Sequence, residues 1–231
     1  VCGPLARSAE DLHLALDIMS GPASREALGW QLSLPAADFT NLKDLRVAIW
    51  ANEDGAIVSS ETAERVAMVG ETLAKMGANV SDTARPNIDM EEAHRNYSTL
   101  LTSVMSASMA PDAVVEMQAR ANSFAANDSS QEAISARAAV ISHREWIRTN
   151  TRREKLRNAW GAFFEEWDIL ICPQMATPAF PHDHSHFGER TITVDNIEQP
   201  YFQQLFWAGI VVNAYLPSTV FPTGPSKGGL P

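Results

Sequence analysis

The stretch from Leu45 to Val80 limits the fold more than any other part of the sequence. Leu45-Arg46-Val47-Ala48-Ile49-Trp50 is a short apolar run containing β-branched and aromatic residues, and it reads as a mostly buried strand. A turn follows around Asn52–Gly55. From about Ser60 to Met76, the residues Val66, Val69, Leu73 and Met76 recur on one helical face, and Gly77 closes the run. Ala78-Asn79-Val80 then opens a second strand. A helix between two strands is long enough to let them lie parallel, so the class is α/β, with a parallel or mixed sheet carrying helices on its faces.

From Met90 to Trp167 the sequence is nearly free of Gly, and Pro111 is its one proline. We expect two or three helices there, divided near Pro111 and around Asn127–Ser130, with Ser130 and Glu132 placed to start the last. Leu156, Trp160, Phe163, Phe164 and Trp167 form one stripe at helical spacing, which is more simply a core face than a binding surface. Asp168-Ile169-Leu170-Ile171-Cys172 then reads as a buried strand stopped by Pro173, so the helical block of about 90–167 is expected on the same sheet. Residues 174–200 look irregular and rich in Pro and His. Tyr201–Val211 reads as helix, and Ser218-Thr219-Val220-Phe221 as a last strand.

Near the start, Ser8 is placed to cap a helix, with Asp11 able to reach back to it. Leu12, Ala15, Leu16 and Met19 follow on one side, and Gly21-Pro22 stops the run. Val1-Cys2 reads as the tail of a buried strand, and the residues around Lys227–Pro231 as a turn about to enter another. The expectation is therefore a fold incomplete at both ends, a partial domain over 1–231 with a helix-rich middle.

A net charge of −10 argues against a nucleic-acid backbone as the main partner. No apolar run is long enough to span a membrane, and no secretion signal is evident, so a cytoplasmic location is expected. Cys2 and Cys172 are too few for a disulfide framework, and Cys172 reads as a buried small hydrophobe.

Two clusters invite chemistry. His182, His184 and His186 would point the same way on an extended segment and offer three imidazoles to a transition metal, although a solvated loop explains them more simply. Arg144, Arg148, Arg152, Arg153, Lys155 and Arg157 form the one basic stretch, read as a charged helix face rather than a nucleic-acid site. No phosphate loop, paired-cysteine zinc pattern or Gly-x-Ser-x-Gly elbow is present. No metal or cofactor is assigned.

Three separated passages, in order, resemble the amidase signature family. They are Gly3-Pro4-Leu5-Ala6-Arg7-Ser8 with Glu10-Asp11-Leu12 and its continuation to Gly21-Pro22; Trp167-Asp168-Ile169-Leu170-Ile171-Cys172-Pro173 with Ala176-Thr177-Pro178-Ala179-Phe180-Pro181-His182-Asp183; and Asn213, Leu216-Pro217-Ser218, Val220, Pro222, Gly224 and Gly229-Leu230-Pro231. The resemblance implies an α/β/α sandwich around a mixed sheet and hydrolysis of carboxylic amides to acid and amine or ammonia. In the family a Ser–Ser–Lys triad with one cis-bonded serine does this, through an acyl-enzyme and a glycine- and serine-rich oxyanion loop. In family order those groups precede Gly3. The expectation is thus a C-terminal portion of an amidase, inactive alone, with the triad upstream of Val1. Its residues would shape the substrate pocket, with Met175, Thr177 and Phe180 following the strand end and Trp207 adding an aromatic wall. The partner implied is a small-molecule amide, with no direct nucleic acid and no membrane, and an unpaired sheet edge is compatible with a homo-oligomer. The alternatives are an amidotransferase subunit that works on charged tRNA and a non-catalytic metal-binding or scaffold fragment.

Overall fold

The computed structural model describes residues 3–35 and 41–230. The expected strand tail at Val1-Cys2 lies outside them, as does Pro231. The chain divides into two compact units, Val1–Phe39 and Thr40–Pro231.

The first unit carries helix α1 (Ala9–Met19). Ser8 caps it as the sequence suggests, its hydroxyl accepting a hydrogen bond from the Asp11 backbone N–H at 3.1 Å. Ser20 is extended and Gly21 adopts φ 136°, a region that L side chains rarely enter, which ends the helix. Leu12 and Ala15 are half-buried, while Leu16 and Met19 from the same stripe are exposed. A single 3-10 turn follows at Glu26–Leu28.

The second unit is built on strand β1 (Arg46–Ile49). Helix α2 (Ser60–Lys75) and strand β2 (Asn79–Ser81) follow, and Gly77 between them takes φ 101°. Strand β3 (Ile169–Ile171) completes a sheet of order β2-β1-β3. Both pairings are parallel, with Val47 opposite Val80 on one side and Ile169 on the other. Because side chains alternate across a strand, β1 feeds two cores. Leu45, Val47 and Ile49 pack with Val66 of α2 and Ala78. Ala48 and Trp50 join Trp160, Phe163, Phe206 and Trp207 on the opposite face. The central strand is therefore covered on both sides, the layering expected of an α/β sandwich. Arg46 locks the lower edge: its backbone N–H and guanidinium both bond the Asp168 carboxylate, at 2.8 and 2.6 Å.

Four helices lie between β2 and β3: α3 (Met90–Met105), α4 (Pro111–Ser123), α5 (Gln131–Ala139) and α6 (His143–Glu166). Sequence reading undercounted them because it merged α5 and α6. Ser130 does cap a helix, but that helix is α5, and Ser142 caps α6 by accepting from the Glu145 N–H. The aromatic stripe of α6 is core, with Trp160 3% and Phe163 7% exposed.

The Pro- and His-rich region holds a hairpin that the sequence did not announce. Strands β4 (Thr191–Val194) and β5 (Ile197–Pro200) pair antiparallel. They turn on Asp195 and Asn196 at φ 48° and 68°, the left-handed pair that a two-residue hairpin needs. The expected single mixed sheet is, among the described residues, a parallel sheet and this separate hairpin. The Asp195 carboxylate accepts from the backbone N–H of Ser60 at 2.6 Å, pinning the hairpin to the start of α2. Helix α7 (Leu205–Ala214) follows and ends on Tyr215 at φ 58°.

The strand expected at Ser218–Phe221 does not form. Pro217 and Pro222 bracket it, and Val220 and Phe221 stay 69% and 50% exposed, so the segment pairs with no strand among the described residues. It is followed by a stretch tied down by Arg65, whose guanidinium donates to the Thr223 and Pro225 carbonyls. Among the described residues no helix is long and apolar enough to cross a membrane.

Candidate functional site

In an open parallel sheet, ligands bind beyond the carboxyl ends of the strands, where the connecting loops diverge. Here those ends carry Trp50 and Glu53 after β1, Arg85 after β2, and Cys172 to Phe180 after β3.

Trp50 organises this edge. Its backbone N–H donates to Ile171 O at 2.9 Å, extending the pairing with β3. Its indole N–H donates to Glu53 at 3.0 Å. The Arg85 guanidinium lies 4.9 Å from the Trp50 ring centre. One nitrogen of that guanidinium donates to the carbonyls of Ile49, Asp82 and Ala84. Burial lowers the Arg85 pKa from its ordinary value, against the opposing pull of Glu53 and Asp82. Trp50 also meets Trp207 edge-to-face at 6.0 Å, and Trp207 meets Phe206 at 5.3 Å.

The loop after β3 is fixed by Ala176, whose carbonyl accepts from the Ser59 N–H at 2.8 Å. The loop after β1 is held by Gln203, which donates to the Gly55 carbonyl.

Of the sequence-derived pocket residues, Met175 is half-buried and Phe180 is 38% exposed, edge-to-face with Tyr201 at 5.9 Å. Thr177 is half-buried, with its hydroxyl oxygen covered and lacking a hydrogen-bond partner. Trp207 is 2% exposed, and its indole N–H is likewise buried and unpartnered. Trp207 is therefore almost wholly covered, and what it could offer a ligand is that unpaired N–H. Burial pushes the Cys172 thiol up to about 11, so it stays protonated at neutral pH and is a poor nucleophile.

A separate cavity of about 10 Å³, room for one water, lies among α3, α6 and α7. His94, Trp160, Phe206 and Asn213 line it. The Nδ1 of His94 and the Oδ1 of Asn213 are both buried without a partner. His94 stacks obliquely on Phe206 at 5.6 Å, and burial holds its pKa below the ordinary 6.5.

The histidine run is less organised than its sequence suggests. The rings of His182 and His184 stack at 6.1 Å, while Asp183 accepts from the Ser185 N–H. Among the described residues no group of three or more His, Cys, Asp and Glu side chains is placed to hold a metal ion.

Sequence reasoning did not single out Trp50, Glu53, Arg85 or His94 as site residues. Trp50 is the last residue of a predicted strand, and Glu53 and Arg85 follow predicted strands by a few residues, positions that could have flagged them. His94 is one histidine in a helix of mixed polarity, and only the packing of α7 against α3 reveals its setting.

A family model described as Amidase matches residues 1–231. The chain is 24% identical over 234 residues to an indoleacetamide hydrolase of Bradyrhizobium diazoefficiens, covering 98% of this chain and 40% of that protein. It is 24% identical over 245 residues to a glutamyl-tRNA(Gln) amidotransferase component of Pseudomonas aeruginosa, covering 96% of this chain and 48% of that one. In fold it is similar to a bacterial aryl acylamidase of the amidase signature family, with a TM-score of 0.56 at 15% identity over 97% of this chain and 47% of that one. A chain from an inhibitor-bound complex described in connection with the origins of an s-triazine catabolic enzyme gives 0.53 at 20% identity, over 92% and 43%. The chain thus spans under half the length of these relatives.

These matches correct the sequence-based expectations. The likeness is not confined to a C-terminal portion, because the family model runs through all 231 residues. The expected fold incomplete at both ends gives way to a likeness that extends over 97% of the chain, helical block included. The description as an inactive fragment is withdrawn on the same ground. The C-terminal and inactive-fragment expectations had rested on family order alone, which sets the triad upstream of Gly3.

Proposed function

Because the chain belongs to the Amidase family, we propose that the protein hydrolyses small carboxylic amides, releasing the acid and an amine or ammonia. The reaction we assign is the family's serine chemistry: a serine activated by the Ser–Ser–Lys relay attacks the amide carbon, the amine leaves with a proton, and water clears the acyl-enzyme. The part we assign to Met175, Thr177, Phe180 and Trp207 is binding and orientation of the substrate. This placement is carried by one observation: Thr177 Oγ1 and Trp207 Nε1 are buried hydrogen-bonding groups without protein partners. Such groups are costly unless something else satisfies them, and a polar substrate or ordered water would do so.

The substrate class we favour is an amide bearing an aromatic group. Phe180 and Tyr201, edge-to-face and partly exposed, give this edge an aromatic rim suited to ring stacking, backed by the buried pair Trp50 and Trp207. The names of two relatives, an indoleacetamide hydrolase and an aryl acylamidase, agree with that choice.

The test is a panel of aromatic and aliphatic amides incubated with the protein, with acid formation followed by chromatography and ammonium measured separately. Aromatic amides should turn over with the higher kcat/KM, and Thr177→Val and Phe180→Ala should raise KM more than they lower kcat. Absence of acid from every amide would refute the hydrolase reading. Turnover unaffected by either variant would refute the pocket assignment alone.

A further inference from the structure

Tyr215 ends α7 in a left-handed conformation that sets its ring against α6. Two arginines one helical turn apart on α6 lie over that ring: the guanidinium carbon of Arg153 is 4.4 Å from its centre and that of Arg157 is 5.0 Å. A single aromatic face attracts one cation readily, but two cations sharing it also repel each other.

Counter-charge is scarce around them. Between His143 and Arg157 the sequence has six basic residues against two acidic ones, Glu145 and Glu154, in a protein whose net charge is −10. Glu145 is shared by Arg148 and Arg152, at 3.4 and 3.3 Å. Glu154 pairs with Arg157 at 2.8 Å. Arg153 bonds the neutral Asn150 side chain, and its Nε–H is buried without an acceptor. The facing segment supplies no carboxylate, since Gln199 to Pro231 contains neither Asp nor Glu.

We propose that Arg153 and Arg157, held on the ring of Tyr215, form a binding site for a small oxyanion, a carboxylate or phosphate group. Stacking on the ring holds the guanidinium planes. Arg153 Nη2 donates to Asn150 and Arg157 Nη1 to Glu154, so the nitrogens offered to a ligand are Arg153 Nη1 and Arg157 Nη2, with little loss of side-chain freedom on binding. The covered Nε of Arg153 is not itself a ligand contact. The oxyanion would meet the Nη edge in the plane of the fork, where a two-oxygen group fits best. The proposal does not depend on the hydrolase reading, because it rests on charge and ring geometry alone.

Titrating the purified protein at low salt with acetate and with inorganic phosphate, by calorimetry or ligand-observed NMR, separates the two sources. At least one should bind saturably, and whichever binds identifies the chemistry. Arg153→Gln and Arg157→Gln should each weaken that binding by about tenfold or more, the usual effect of losing a charged hydrogen bond. Arg153→Lys, which keeps the charge without the fork, should weaken it by less. Arg144→Gln, an equal loss of charge elsewhere on α6, should leave it unchanged. Circular dichroism checks that each variant is folded, and Arg153→Lys carries the test should Arg153→Gln unfold. Failure of both anions to saturate, or equal weakening by Arg144→Gln, would overturn the site in favour of diffuse electrostatic attraction.

Discussion

Gly209 on α7 faces Tyr97 on α3, and that close approach gives a sharp prediction. A Cβ added at Gly209 would sit 2.7 Å from Tyr97 Cδ1 and 3.1 Å from two further ring carbons. Carbon atoms sit comfortably at about 3.5–4.0 Å, so the ring or the helix has to move. The ring has little room, being 8% exposed with the His94 ring 6.5 Å away. Overpacking of this kind costs about 1–3 kcal/mol, while replacing a helical Gly by Ala returns roughly 1 kcal/mol of propensity. Gly161 provides the control, since it lies inside α6 and an added Cβ there meets nothing within 4 Å. Gly161→Ala should therefore stabilise the protein by up to about 1 kcal/mol. Gly209→Ala should destabilise it by about 1 kcal/mol once the two effects are netted. The gap between the variants isolates the clash, because propensity cancels. Urea unfolding followed by far-UV circular dichroism measures both midpoints. If the two variants shifted the midpoint in the same direction by the same amount, the close contact between α3 and α7 would be refuted.

His94 should make stability sensitive to acid. Its folded pKa lies below the ordinary 6.5, so the native state resists the proton that the unfolded chain accepts, and stability is lost as pH falls below about 6.5. Melting temperatures between neutral pH and pH 5 should fall less steeply in His94→Gln than in the parent. Cys172, with its thiol pushed up to about 11, should resist iodoacetamide at mildly alkaline pH in the native protein and react once urea is added, as peptide mass spectrometry would report. Asp195→Ala should cost about 1 kcal/mol by removing the carboxylate that accepts from Ser60 at the start of α2, read as a lower unfolding midpoint.

The strand–helix–strand unit was legible because its apolar residues repeat at the periods of its elements and Gly77 marks the stop. The role of Ser8 was legible because a cap is a local interaction within one turn. The boundary between α5 and α6 was not, since Ser142 follows an Ala-rich run with no Gly or Pro near it. The β4–β5 hairpin escaped because Asp195-Asn196 lacks the glycine that usually advertises such a turn, and because Asp195 gains its reason from Ser60, far away in sequence. The edge around Trp50 combines residues from three strand ends, so its neighbours are set by sheet order rather than by spacing. Met175, Thr177 and Phe180 could be named from their place after a strand. The burial of Trp207 against Trp50 is a tertiary fact.

The central strand obtains its two neighbours on very different schedules. β2 follows β1 closely, whereas the bond from Arg46 to Asp168 joins residues 122 positions apart. On a ribosome, one flank of β1 must wait while five helices emerge before its mate exists. Pairings this distant slow folding, and an unmatched hydrophobic edge is an invitation to foreign strands in the meantime. The cell's yield of this protein should therefore depend on whatever shields Val47 and Ile49 during that delay, more than on the stability finally reached.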